Sequence, residues 1–163
     1  LSGEVERGGL TVSVADYEDL PVYQITFESA MQSFELTRTF PSEERYALTD
    51  QIRRPSRSVC TNIAEAWRKR RHEAAFISKL SDSDGEAAET DVHLEFALRC
   101  GYLNPETHAR LKDHCDHICR QLTRMIDDAA SWRAGNWVRE ECADYFVDAS
   151  RSPLPVLQSE ASR

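Results

Sequence analysis

The chain has 163 residues, 29% of them charged and 40% hydrophobic, which describes one folded domain and excludes a mostly disordered chain. No apolar run approaches the roughly 18–20 residues of a membrane-spanning helix and no charged-then-apolar leader opens the chain, so a cytoplasmic protein without a membrane partner is expected. A net charge of −8 excludes nucleic-acid coating by the whole surface, because such binding is driven by cations displacing counterions from phosphates; only a local basic patch could serve.

Residues 1–18 hold three glycines and mixed polarity, and read as a flexible N-terminal arm. From there Leu20, Tyr23, Phe27, Ala30, Met31 and Phe34 recur at spacings of three and four, the signature of one helical face. Asp19 and Pro21 suit its start, and Phe40-Pro41 stops it near Thr39. Ser42 is a plausible N-cap for a second helix over 43–70, with Glu43 and Glu44 in its first turn and an apolar stripe of Ile52, Val59, Ile63, Ala66 and Trp67. Pro55 falls inside this helix and is expected to kink it.

A third helix is predicted over 73–99, closed by Cys100-Gly101. Its interior, "SDSDGEAAETD", places Asp84, Gly85, Ala88 and Asp91 near the face that should look inward with Ile77, Leu80 and Leu98. Asn104, Pro105 and Glu106 announce a fourth helix, which carries Leu111, Ile118, Leu122 and Met125 toward Arg133. Residues 135–163 read as a short extra helix followed by a flexible tail with two prolines. The expected fold is an all-α, up-and-down four-helix bundle over 19–134 with flexible extensions at both ends.

Several segments on these helices resemble a known family. They are Phe40-Pro41 with Glu43-Glu44-Arg45-Tyr46, then Leu48-Thr49, Gln51-Ile52-Arg53-Arg54, Asn62-Ile63-Ala64-Glu65 and Gly101-Tyr102-Leu103. The sequence is similar here to the bacterial four-helix-bundle proteins encoded in intervening sequences of large-subunit ribosomal RNA genes, relatives of the accessory protein of diversity-generating retroelements. The resemblance implies a homo-oligomer, a ring-shaped homopentamer, with no enzymatic reaction. For the retroelement relative it implies binding of RNA or DNA and of a nucleic-acid-handling protein, the reverse transcriptase, through basic surface residues.

The charge is unevenly placed. Residues 51–72 hold seven Lys/Arg against one acid, Glu65. At 100° per residue, Arg53, Arg57, Arg68 and Arg71 fall within about 60° of one another beside the apolar stripe. Two readings of this stripe, to which Arg54 and Lys69 belong, stay open. It can grip phosphate as a nucleic-acid surface, or it can pair with the acids of helix 3, Asp82, Asp84, Glu86, Glu89 and Asp91, across the bundle or at a subunit interface.

No catalytic residues, cofactor or metal site are expected. In "HCDHIC", His114 and His117 face one way while Cys115 and Cys119 face roughly 150° away, so one helix cannot close them around one ion; a site completed by another chain stays open. Bundle di-iron centres need Glu-x-x-His, which does not occur; Glu89 and His93 are four apart. There is neither a G-x-S-x-G elbow nor a phosphate-binding glycine loop. The five cysteines, Cys60, Cys100, Cys115, Cys119 and Cys142, are an odd set without C-x-x-C and are expected as free thiols, Cys60 being either activated by the nearby arginines or a small interface residue. Trp67, Trp132 and Trp137 fit either an interface or a cap on the core.

Overall fold

The computed structural model of the protein describes residues 12–133 and 138–139, with side chains over 14–133. Four helices form the bundle: α1 (Pro21–Thr37), α2 (Leu48–Lys69), α3 (Glu73–Arg99) and α4 (Pro105–Asp127). Each packs on its neighbour in sequence and α4 closes on α1, so α1 and α3 stand at opposite corners. The all-α bundle read from the sequence is the fold observed. Separately, β1 (Val12–Ser13) pairs antiparallel with β2 (Val138–Arg139), with Val12 opposite Arg139. These two C-terminal residues are extended, where the sequence reading placed a short helix. The rest of 135–163 lies outside the described residues, as do 1–11.

The helix boundaries follow local chemistry. Asp16 caps a 3₁₀ turn at Tyr17–Asp19, and the Asp19 carboxylate accepts from the backbone of Ala15 and Asp16 at 2.9 and 3.1 Å, so Asp19 closes that turn and Pro21 alone opens α1. Residues Ser42–Glu44 form a second 3₁₀ turn instead of the first turn of α2, and Glu44 receives the Leu48 amide at 3.2 Å to begin that helix. The helix continues through Pro55, whose ring is buried. At the end of α3, Gly101 takes φ +76°, its amide reaches the Leu98 carbonyl, and Tyr102 reaches Ala97, which closes the helix in the way the Cys100-Gly101 pair announced. Asn104 accepts from the Thr107 amide at 2.8 Å and Pro105 begins α4. That helix stops at Asp127, and Ala129–Arg133 continue as a 3₁₀ turn.

The core faces of α2 and α4 are those expected, including Ile52, Val59, Ile63, Leu111 and Leu122. The apolar stripe of α1 faces the core only in part, through Leu20 and Ala30. Val22, Thr26, Ser29, Ala30, Ser33 and Thr37 point inward, while Phe27 and Met31 are 52% and 47% exposed. In α3 the buried line is Phe76, Leu80, Ser83, Ala87, Thr90, Leu94 and Ala97, and Gly85 and Ala88 face out. The hydroxyls explain both corrections. Thr37 donates to the Ser33 carbonyl at 2.8 Å, Thr90 to Glu86 at 2.9 Å, and Ser83 reaches across to the Val59 carbonyl of α2 at 3.0 Å. Small polar side chains satisfied in this way are buried at little cost and let the helices approach closely.

Two apolar clusters flank this hydroxyl-rich waist. One holds Ile63, Phe76, Leu80, Leu122, Trp67 and Trp132, and the other Phe40, Ile52, Leu94 and Leu111. Trp67 and Trp132 meet edge to face at 6.4 Å and are buried in their own core, which decides their role; Trp137 lies outside the described residues. Replacing Leu80, 0% exposed, by Ala should cost about 2–5 kcal/mol in urea unfolding. Ala at Val92, 54% exposed, should stay within about 0.5 kcal/mol of the parent.

Candidate functional site

The basic stripe of α2 divides once the helix is packed. Arg53 is half-buried: its Nε donates to Thr37 Oγ1 at 2.7 Å and its guanidinium sits 4.6 Å from the centre of the Phe34 ring. It ties α2 to the C-terminal turn of α1, where a cation is favoured. Arg70 does similar work at the end of its own helix, donating to the Trp67 carbonyl at 2.7 Å and lying over the Trp67 ring at 4.1 Å. Arg54 is exposed in the α2–α3 groove, 3.8 Å from Asp50, and shares that groove with Glu86 and Glu89. Arg68 stands 3.6 Å from Asp16, and Lys69 3.8 Å from Glu65. Among the described residues, exposed Arg57 and Arg71 pair with no carboxylate; Arg57 lies 5.9 Å from the Phe34 ring centre.

The acids of α3 take other partners. Asp82 is 3.6 Å from Lys79, which also holds Glu65 at 3.0 Å and so joins α2 to α3. Asp91 meets Lys112 of α4 at 2.7 Å, and Glu89 is 3.6 Å from His93. Asp84 is half-buried beside Cys119. Among the described residues Arg53 and Arg57 face α1 and Arg54 faces Glu86 and Glu89 across the α2–α3 groove beyond ion-pair distance, while Lys79 bridges the α2–α3 seam.

The "HCDHIC" segment separates as helical geometry requires. Cys115 is in the core, Cys119 is half-buried, and His114 is half-buried within the field of Glu28 of α1. Among the described residues no three His, Cys, Asp or Glu side chains converge on a point that could hold an ion. Burial pushes the Cys115 thiol up to about 12 and Cys60 to about 11; Cys119 reaches about 12 through burial and then Asp84. Cys60 is thus a small interface residue and not an activated thiol. All four described cysteines are free, and Cys100 is exposed.

Two surfaces remain that the sequence reading did not find. On α1, Tyr23 stacks on Phe27 at 6.2 Å, and with Met31 and Phe34 they line a groove against Arg57, Thr61 and Ala64 of α2. On α3, Val92 and Phe96 are 54% and 55% exposed, in line with outward Gly85 and Ala88. The α1 stripe was visible in the sequence as one helical face, and the structure buries its Leu20 and Ala30 while exposing Phe27 and Met31. The α3 line could have been found by noticing that Phe76, Leu80, Leu94 and Ala97 already form one complete face.

The sequence matches the family of the 23S rRNA-intervening sequence protein over residues 18–124, from the 3₁₀ turn before α1 into the last turn of α4. The chain belongs to this family. Among solved structures, this member of the 23S rRNA-intervening sequence family is similar to a protein of unknown function from the S23 ribosomal protein family of Bacteroides thetaiotaomicron VPI-5482. The two are 28% identical, with a TM-score of 0.59 over 65% of this chain and 95% of that one. No curated protein matches the chain. No helix among the described residues is long and apolar enough to cross a membrane.

Two outcomes follow from the buried groups. Iodoacetamide at about pH 8 should label Cys100 while sparing Cys60, Cys115 and Cys119 until denaturant is added; peptide mapping reads this, and prompt modification of Cys119 would contradict it. Burial also holds the His114 and His117 imidazoles below their usual range. The folded chain then binds fewer protons than the unfolded one, so their contribution is complete above the unfolded value of about 6.5 and is lost as pH falls below it. The urea midpoint should decline from about pH 7 to about pH 5, and less steeply in His114→Gln. A midpoint flat over that interval would count against buried neutral imidazoles.

Proposed function

We propose that this member of the 23S rRNA-intervening sequence family is a non-catalytic homo-oligomeric interaction protein of the cytoplasm, five copies being the number that the family resemblance implies. The observation that carries this reading is the exposure of Phe27, Met31, Val92 and Phe96 on a bundle whose core is already complete. Large apolar side chains aligned on a surface mark a face that another protein covers. The buried thiols are pushed up, and Asp82 and Asp91 are engaged by Lys79 and Lys112, which gives catalysis no support. Light scattering of the purified chain should return a mass several times that of one copy, and a monomer at all concentrations would overturn the proposal.

A second reading, an accessory protein for RNA or DNA and its polymerase, is favoured by Arg57 and Arg71, which stay without carboxylate partners among the described residues. Binding of labelled structured RNA and of a DNA duplex should then weaken steeply with salt, with a logarithmic slope of about −0.9 per phosphate contacted on duplex DNA. It should weaken in Arg71→Glu while the oligomer persists. Absence of binding even at low salt would end this reading and leave the assembly alone.

A further inference from the structure

α4 closes the bundle against α1 more sparsely than any two consecutive helices meet. The consecutive seams are each tied by a cation: Arg53 joins α2 to Thr37 of α1, Lys79 joins α3 to Glu65 of α2, and Lys112 joins α4 to Asp91 of α3. The flank that α4 turns to α1 is built differently. Arg110, His114, His117 and Gln121 follow one another there at helical spacing, all half-buried, with Glu28 and Gln32 of α1 beside them. Three buried polar atoms on this flank, Gln32 Oε1, Arg110 Nε and His114 Nδ1, have no hydrogen-bond partner among the described residues. Little on this seam therefore offsets the cost of taking its imidazoles out of water.

We infer that the α1–α4 seam is an acid-sensitive latch, in which protonation of His114 and His117 opens α1 from α4 while α2 and α3 stay packed. A cation at His114 stands one turn from Arg110 and one turn from His117, and His117 lies within the fields of Arg120 and Arg124. Like charges at these spacings repel. The charge that faces His114 from α1 is Glu28, whose carboxylate already accepts from Gln32 Nε2 at 3.0 Å, and Asp113 is the acid of α4 that acts on both imidazoles. α3 turns Asp91 and Asp84 toward Cys115 and Cys119 on the other flank of α4, and Arg133 in the turn after α4 is engaged by Glu73. Burial holds both imidazoles below their usual range in the closed seam. An open seam, in which they are solvated, binds more protons and gains population as pH falls through about 6.5. The Lys79–Glu65 bridge keeps both charges over the same interval, because each partner's hydrogen bond holds the carboxyl low and the ammonium high, so α2 and α3 remain joined. α1 carries exposed Phe27 and Met31, and the latch sets how firmly that face is held. This inference does not depend on the assembly reading.

The test is amide hydrogen exchange of the full chain at about pH 7.5 and about pH 5.5, read peptide by peptide by mass spectrometry and normalised to the exchange rate of the unfolded chain at each pH. Peptides from α1 and α4 should lose protection at the lower pH, while those from α2 and α3 keep theirs. His114→Gln, which stays neutral throughout, should remove most of that loss, and His117→Gln part of it. Circular dichroism at the higher pH checks that each variant is folded, with His114→Asn as the replacement. Equal loss of protection in all four helices of the parent means that acid acts on the bundle as a whole and overturns the latch. No loss in the parent overturns it as well, as does a loss that persists undiminished in a folded His114 variant.

Discussion

Thr37 and Thr90 each give a hydroxyl proton to a carbonyl about one turn back in their own helix, and Ser83 gives its proton to α2. These bonds satisfy three of the small polar side chains buried between the helices, while the buried Ser33 hydroxyl has no partner. Much else follows from them. With Ser and Thr among the inward residues of α1 and α3, the large apolar residues gather in two clusters. The same choice turns Phe27 and Met31 outward, because a helix cannot present both of its stripes to one core.

The charge distribution has a similar logic. Residues 51–72 are strongly basic and 81–98 strongly acidic, yet the two are not neutralised against each other within one chain. Arg53 and Arg70 serve as helix-end cations packed on aromatic rings, and the one strong bridge between α2 and α3 is made by Lys79 to Glu65. What is left over, Arg57 on one face and the acidic border of α3 on another, is exposed and lies beside apolar surface. Exposed charges of this kind add little to the stability of one bundle.

Membership in the 23S rRNA-intervening sequence family establishes the fold and leaves the molecular role to the surface, since a four-helix bundle hosts many unrelated functions. Here the surface offers aligned apolar side chains and segregated charge, and no convergence of ionisable groups into a reactive site among the described residues. Both proposed roles use the same helix, α2, one through its border with α1 and the other through the arginines left facing solvent.

The sequence by itself determined the fold class, the order of the helices and most of their ends. Gly101, Asn104 and Pro105 act through backbone geometry and local hydrogen bonds, which need no knowledge of distant neighbours. It also determined the core faces of α2 and α4, where only one apolar stripe exists on each helix. The rotation of α1 and α3 was decided by tertiary structure alone. Each carries two candidate faces at helical spacing, and a threonine or serine reads as surface until its proton is seen to be bonded. The fate of the arginines was likewise out of reach of spacing. Arg53, Arg54 and Arg57 differ by only a few residues in sequence, but one meets a helix end, one a groove and one solvent, and a charge takes its role from what packs beside it.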